Sequence, residues 1–114
     1  MTRKPLSPQV FQILLSVVDG PRHGYAIITD VDDRTAGEIR LTASTLYDAL
    51  ARLLDERWLK EVPAPASEVG APERRRYYQL TAAGRDALSH ETARLERQLS
   101  SARGVLPARG RGGR

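Results

Sequence analysis

Apolar side chains recur along this chain at two periods, about 3.6 residues and two residues, and each change of period marks an element. Val10, Phe11, Leu14, Leu15, Val17 and Val18 give the first broad helical face. Ser7-Pro8 opens it, because serine caps and proline is tolerated at the first helical position, and Gly20-Pro21 ends it. A second, shorter helix is predicted over about residues 24–34, burying Ile27, Ile28 and Val31. Gly37 breaks the chain, and Glu38-Ile39-Arg40-Leu41 can form a short extended segment.

The third helix carries the clearest local signal. With Thr42 as its cap, Leu41 and Leu46 fall where a hydrophobic staple puts them. Leu46, Leu50, Leu53 and Leu54 repeat at i, i+4, i+7, i+8, which is one buried stripe, and the helix is expected to end near Arg57. The opposite face then shows Ser44, Thr45, Asp48, Ala51 and Arg52, with Tyr47 on its flank.

Trp58-Leu59-Lys60-Glu61-Val62 and Arg75-Arg76-Tyr77-Tyr78-Gln79-Leu80 alternate aromatic or branched residues with polar ones, as two half-buried strands would. Between them, residues 63–74 are rich in Pro, Ala, Gly and Ser, too long for a tight turn, so the hairpin is expected to have a mobile tip. Thr81 can cap a last helix starting at Ala82. There Leu88, Thr92, Leu95, Leu99 and Ala102 are spaced 4, 3, 4, 3, a heptad seam that runs past what so small a domain can cover, and it predicts self-association. The Gly- and Arg-rich residues 104–114 are expected to be disordered.

The fold class that follows is mainly α with a small β-hairpin: a winged helix-turn-helix over residues 1–81, a dimerisation helix over 82–103, and the tail. At 114 residues with 40% hydrophobic content the chain supports one modest core. Its 18 Lys and Arg exceed its 14 Asp and Glu, giving +4. Much of that excess sits in Arg74-Arg75-Arg76 and the tail, which fits a polyanionic partner. With no cysteine, disulfides, thiolate metal sites and cysteine nucleophiles are excluded. The apolar residues 10–18 are short and interrupted, with Asp19-Gly20-Pro21 after them, so neither a signal peptide nor a membrane span is expected, and the chain reads as cytoplasmic.

A helix fits the major groove, and in a helix-turn-helix the second helix enters it; here that is the helix starting at Thr42. Small hydroxyl residues at its start let the backbone approach a duplex, Ser44 and Thr45 can donate to phosphate, and free N–H groups there favour an anion. Tyr47 can reach phosphate while its ring packs on the domain, and Arg52 lies further along. Arg74, Arg75 and Arg76 enter the second strand, expected to face Lys60 across the hairpin and to lie beside the minor groove or its phosphates. His23 and His90 have no neighbours for a metal pair or a serine–histidine base; His23 is expected to cap or pack, and Trp58 to anchor the core. Asp30, Asp32 and Asp33 lack the spacing of a calcium loop and read as a solvated helix end. No phosphate-binding glycine loop is present, and neither an enzyme nor a cofactor or metal is expected.

Gly20-Pro21-Arg22-His23-Gly24-Tyr25, Thr42-Ala43-Ser44-Thr45-Leu46-Tyr47, Leu50-Ala51-Arg52-Leu53 and Arg75-Arg76-Tyr77-Tyr78-Gln79-Leu80-Thr81-Ala82-Ala83-Gly84 occur in the order in which the PadR family of bacterial transcriptional regulators has similar blocks. The resemblance covers about residues 6–99. It implies a dimeric repressor on an inverted repeat, released by a small molecule or cellular signal, with Tyr25 and Thr42 joining the DNA-facing set. The chain resembles the compact subgroup, in which one C-terminal helix dimerises, and leaves an effector site unassigned. Ala43-Ser44 replaces the family's frequent Pro-Gly, and Arg57 its usual glycine before the first wing strand, so both turns can depart from the family's. Two other classes remain beside this one: a winged helix that binds a partner protein without DNA, and a metal-sensing one, which the missing cysteines and isolated histidines disfavour.

Overall fold

The computed structural model describes residues 4–66 and 75–107. Ser7 accepts the Val10 N–H at 3.1 Å and Pro8 stands at the first helical position, and these start helix α1, Pro8–Ser16. The helix stops short of Gly20. Val17 and Val18 N–H groups tighten onto the Leu14 and Leu15 carbonyls, and the Arg22 guanidinium donates to the Ser16 carbonyl at 2.6 Å. That early exit frees a short strand β1, Arg22–His23, which the residue pattern does not announce.

Helix α2 spans Gly24–Arg34, with the His23 imidazole as its cap, its Nδ1 accepting from the Ala26 N–H at 3.2 Å. The segment expected to extend, Glu38 to Leu41, joins no strand. Thr35 holds it by donating to the Val31 carbonyl and accepting the Ile39 N–H, while Leu41 is buried. Helix α3, Ala43–Asp55, follows the Thr42 cap; Leu46, Leu50 and Leu53 are buried and Leu54 packs beside them.

Arg57 then turns the chain with φ +65°, a left-handed conformation in which a side chain is strained. It leads into β2, Leu59–Val62, which pairs antiparallel with β3, Tyr77–Leu80. Instead of a two-stranded hairpin, the sheet has three strands among the described residues, ordered β1-β3-β2. This makes β3 the central strand, which explains why the consecutive Tyr77 and Tyr78 are both buried: Tyr78 joins the main core and Tyr77 meets the His23 ring edge-on at 5.4 Å. The expected mobile tip lies largely outside the described residues.

Thr81 caps α4, Ala82–Val105, which extends two residues beyond its expected end; most of the Gly- and Arg-rich tail is outside the described residues. The core lies where α1, α2 and α3 meet, around Ile13, Leu14, Ile27, Val31, Leu46 and Leu50. Leu59 and Tyr78 close it from the sheet and Leu88 from α4, with Trp58 half-buried at its edge.

Candidate nucleic-acid interface

With its leucines committed to the core, α3 turns the rest of its surface outward. Thr42, Ala43, Ser44, Thr45, Tyr47, Asp48, Ala51 and Arg52 are all exposed. The Thr42 hydroxyl accepts the Thr45 N–H at 3.1 Å and donates to the Thr45 hydroxyl oxygen at 3.0 Å. Thr45 therefore keeps its own hydroxyl proton for an outside acceptor. The early N–H groups of this helix have no carbonyl partner within it, so its start attracts anions.

Beside that helix start lies an open cleft lined by His23, Gly24, Tyr25, Tyr47, Arg75 and Arg76. Its assembly follows from the sheet. β1 pairs with β3 through Arg22 opposite Tyr78 and His23 opposite Tyr77, which brings the start of α2 alongside the two arginines that precede β3. At Gly24 the end of the Tyr47 ring and its hydroxyl occupy the space a Cβ would take, so a larger residue there would push Tyr47 aside. Tyr25 is 74% exposed and Tyr47 49%, with the Tyr47 hydroxyl lying over Gly24. Arg76 donates to Glu61 at 3.4 Å. Burial, then the Glu61 carboxylate, push the Tyr78 phenol above its ordinary range, so it stays neutral beneath this cationic rim.

Two expected members stand apart. Lys60 is exposed, but the register sets it opposite Gln79 rather than the arginines, because β3 begins only at Tyr77; Arg76 reaches Glu61 instead. Arg52 lies ten residues beyond Thr42, about 15 Å along the helix axis, and lines a separate groove with Pro5, Leu6 and Trp58. Arg74 is outside the described residues. The acidic cluster at the end of α2 is held by cations: Asp30 pairs with Arg34 and lies 3.9 Å from Arg22, and Asp32 is 3.5 Å from Arg40. Among the described residues no group of acidic or histidine side chains could hold a metal, and no helix is long and apolar enough to cross a membrane.

The last helix divides in two. Gly84, Ala87, Leu88 and Glu91, all in its first half, are buried. Leu88 thus faces its own core, whereas Thr92, Leu95 and Leu99 are exposed and Ala102 half-buried. Leu106, four residues after Ala102, is 65% exposed but lies at the extended cap just beyond the helix. Glu91 was not legible as special. Its carboxylate accepts from Arg94 Nη2 at 2.6 Å and Nε at 3.0 Å and from the Leu6 N–H at 3.3 Å, and the Arg94 hydrogen bonds hold it below the ordinary carboxylate range. Only the pairing of Glu91 with Arg94 at i+3 hinted at it.

Residues 13–90 match the transcriptional regulator PadR-like family. The chain belongs to that family. Its members are transcriptional regulators and not enzymes. An uncharacterised 37.1 kDa protein in transposon TN4556 of Streptomyces fradiae is 39% identical over 85 residues, 75% of this chain; the match spans about a fifth, 22%, of that longer protein. Among solved structures, a PadR family transcription regulator from Clostridium difficile matches with a TM-score of 0.72 at 24% identity, covering 89% of this chain and 100% of that one. Bacillus subtilis PadR in complex with operator DNA matches with a TM-score of 0.60 at 22% identity, over 71% of this chain and 44% of that one. The PadR-like chain thus shares the winged helix-turn-helix fold of these regulators.

Proposed function

We propose that this PadR-like protein is a homodimeric, sequence-specific DNA-binding repressor that acts in the cytoplasm on an inverted-repeat operator and is released by a small-molecule effector. The observation that carries the reading is the bare outer face of α3, continuous with a cleft that gathers Tyr25, Tyr47, Arg75 and Arg76. Thr42, Ser44 and Thr45 bring hydroxyls and a helix start to the floor of the major groove, and Asp48 can accept from a cytosine amine. The two tyrosines and two arginines seat backbone phosphate beside it, and Arg74, which precedes the two arginines in sequence, adds a further positive charge for phosphate. Lys60 and Arg52 make peripheral backbone contacts from the far strand and the far end of α3. The similarity in fold to Bacillus subtilis PadR, whose structure was solved with operator DNA, supports this reading. The exposed distal half of α4 supports dimerisation: Thr92, Leu95, Leu99 and Ala102 pair with a second copy, and Leu88 anchors the seam to its own domain.

The test is the salt dependence of binding to duplexes selected from the host genome. Arg75→Ala with Arg76→Ala is expected to weaken binding to all sequences and to lower the slope of log K against log salt by roughly 0.9 for each phosphate no longer neutralised. An unchanged slope removes these arginines from the interface. A domain that instead docks a partner protein would show no salt-sensitive retention on duplex DNA or heparin.

A further inference from the structure

The exit of α3 and the entry of α4 meet at one joint. Thr81 makes three bonds there: its N–H donates to the Trp58 carbonyl at 3.0 Å, its hydroxyl donates to the Arg57 carbonyl at 2.6 Å, and the same oxygen accepts the Gly84 N–H at 3.0 Å. Arg57 is held left-handed at this point, with its N–H on the Leu54 carbonyl of α3. Gly84 presses against the backbone from the other side: a Cβ there would strike the Trp58 carbonyl oxygen, a group that cannot swing away as a side chain could. One hydroxyl therefore starts α4 and ties down the turn that leaves α3, and at Gly84 the first turn of α4 lies directly against the Trp58 backbone, beside the Leu80 side chain.

We infer that Thr81 is a positioning residue that, together with the packing of the first half of α4 on α1, fixes the angle between the DNA-reading helix and the dimerising helix, and so sets the half-site spacing the dimer accepts. The inference rests on the proposed DNA-binding dimer. α4 has 24 residues and is about 36 Å long, so a swing of about 5° at the joint moves its far end about 3 Å, close to one base-pair rise. Spacing is the quantity a dimer of recognition helices reads geometrically.

Three substitutions separate the joint from the cap. Thr81→Ser keeps both bonds of the hydroxyl. Thr81→Asp keeps the cap, since aspartate is at least as good there, but has no proton to donate to the Arg57 carbonyl. Thr81→Val loses both. The probes are a duplex selected by the wild-type protein from a random pool, the same duplex with one or two base pairs added between half-sites, and a single half-site. Wild type and Thr81→Ser are expected to disfavour the lengthened duplexes by tenfold or more. In Thr81→Asp that preference falls to about twofold, while half-site affinity, helix content and dimer sedimentation stay as in the wild type. Thr81→Val is expected to lose the preference and also melt earlier. A wild type that selects a spaced repeat alongside a Thr81→Asp protein with the same spacing preference overturns the joint alone. A wild type that selects no spaced repeat overturns both this inference and the DNA-binding reading beneath it.

Discussion

At the scale of single residues, two side-chain-bearing residues among those described take a left-handed backbone, Ala36 at φ +53° and Arg57. The Arg57 φ of +65° is one that glycine adopts freely and that costs a side-chain-bearing residue about 1 kcal/mol. Arg57 thus holds a backbone conformation that glycine would adopt there without strain. Arg57→Gly is expected to raise stability by about 1 kcal/mol, read as several degrees in thermal melting; an unchanged or lower melting temperature would show that the arginine side chain compensates. Glu91 makes a second residue-scale prediction. Its Arg94 and Leu6 partners lower its folded value beneath the ordinary 4.5, so the unfolded chain binds the proton first as pH falls. The stabilisation is whole above about 4.5 and is lost as pH drops through the lowered folded value. Glu91→Gln lacks it already, so the gap in melting temperature between wild type and variant is expected to be widest near neutral pH and to close in acid. A gap that does not change with pH assigns Glu91 a role in packing alone.

At the scale of elements, α4 is built to be anchored at one end and uncovered at the other. Leu95 and Leu99 are left 38% and 51% exposed by their own chain. Leu95→Glu with Leu99→Glu is expected to leave the helical spectrum unchanged and to convert a sedimenting dimer into a monomer; a dimer that survives moves the interface elsewhere. The helices were legible because each has both a cap and an apolar stripe in its own sequence: Ser7, Thr42 and Thr81 cap as their residue types suggest. His23 capping α2 was half-legible, since imidazole both caps and packs, and here it does both. Strand β1 was not legible. Two residues carry no period, and only the pairing of Arg22 and His23 with β3, fixed far along the chain, makes them a strand. The same nonlocal cause misplaced Lys60. Register depends on where β3 begins, and Arg75-Arg76 look like strand residues by type although they precede it.

At the scale of the whole molecule, two surfaces of different chemistry are held apart on one frame. Hydroxyls, phenols and guanidiniums converge around the start of α3, and a leucine-lined half-helix extends from the other end of the sheet. Which of the residues expected at the first surface share a cleft was decided by the sheet order: β1 beside β3 joins Tyr25 to Arg75 and Arg76, while helix length carries Arg52 away. The account stands on the outward face of α3 meeting DNA, and the most direct measurement is equilibrium binding of a Ser44→Glu, Thr45→Glu protein to a duplex selected by the wild type. Both positions are exposed, and glutamate in the first turn suits the helix, so folding and dimerisation are expected to be untouched. Affinity is expected to fall at least a hundredfold at physiological salt. Binding that matches the wild type, with the fold intact, would contradict the account.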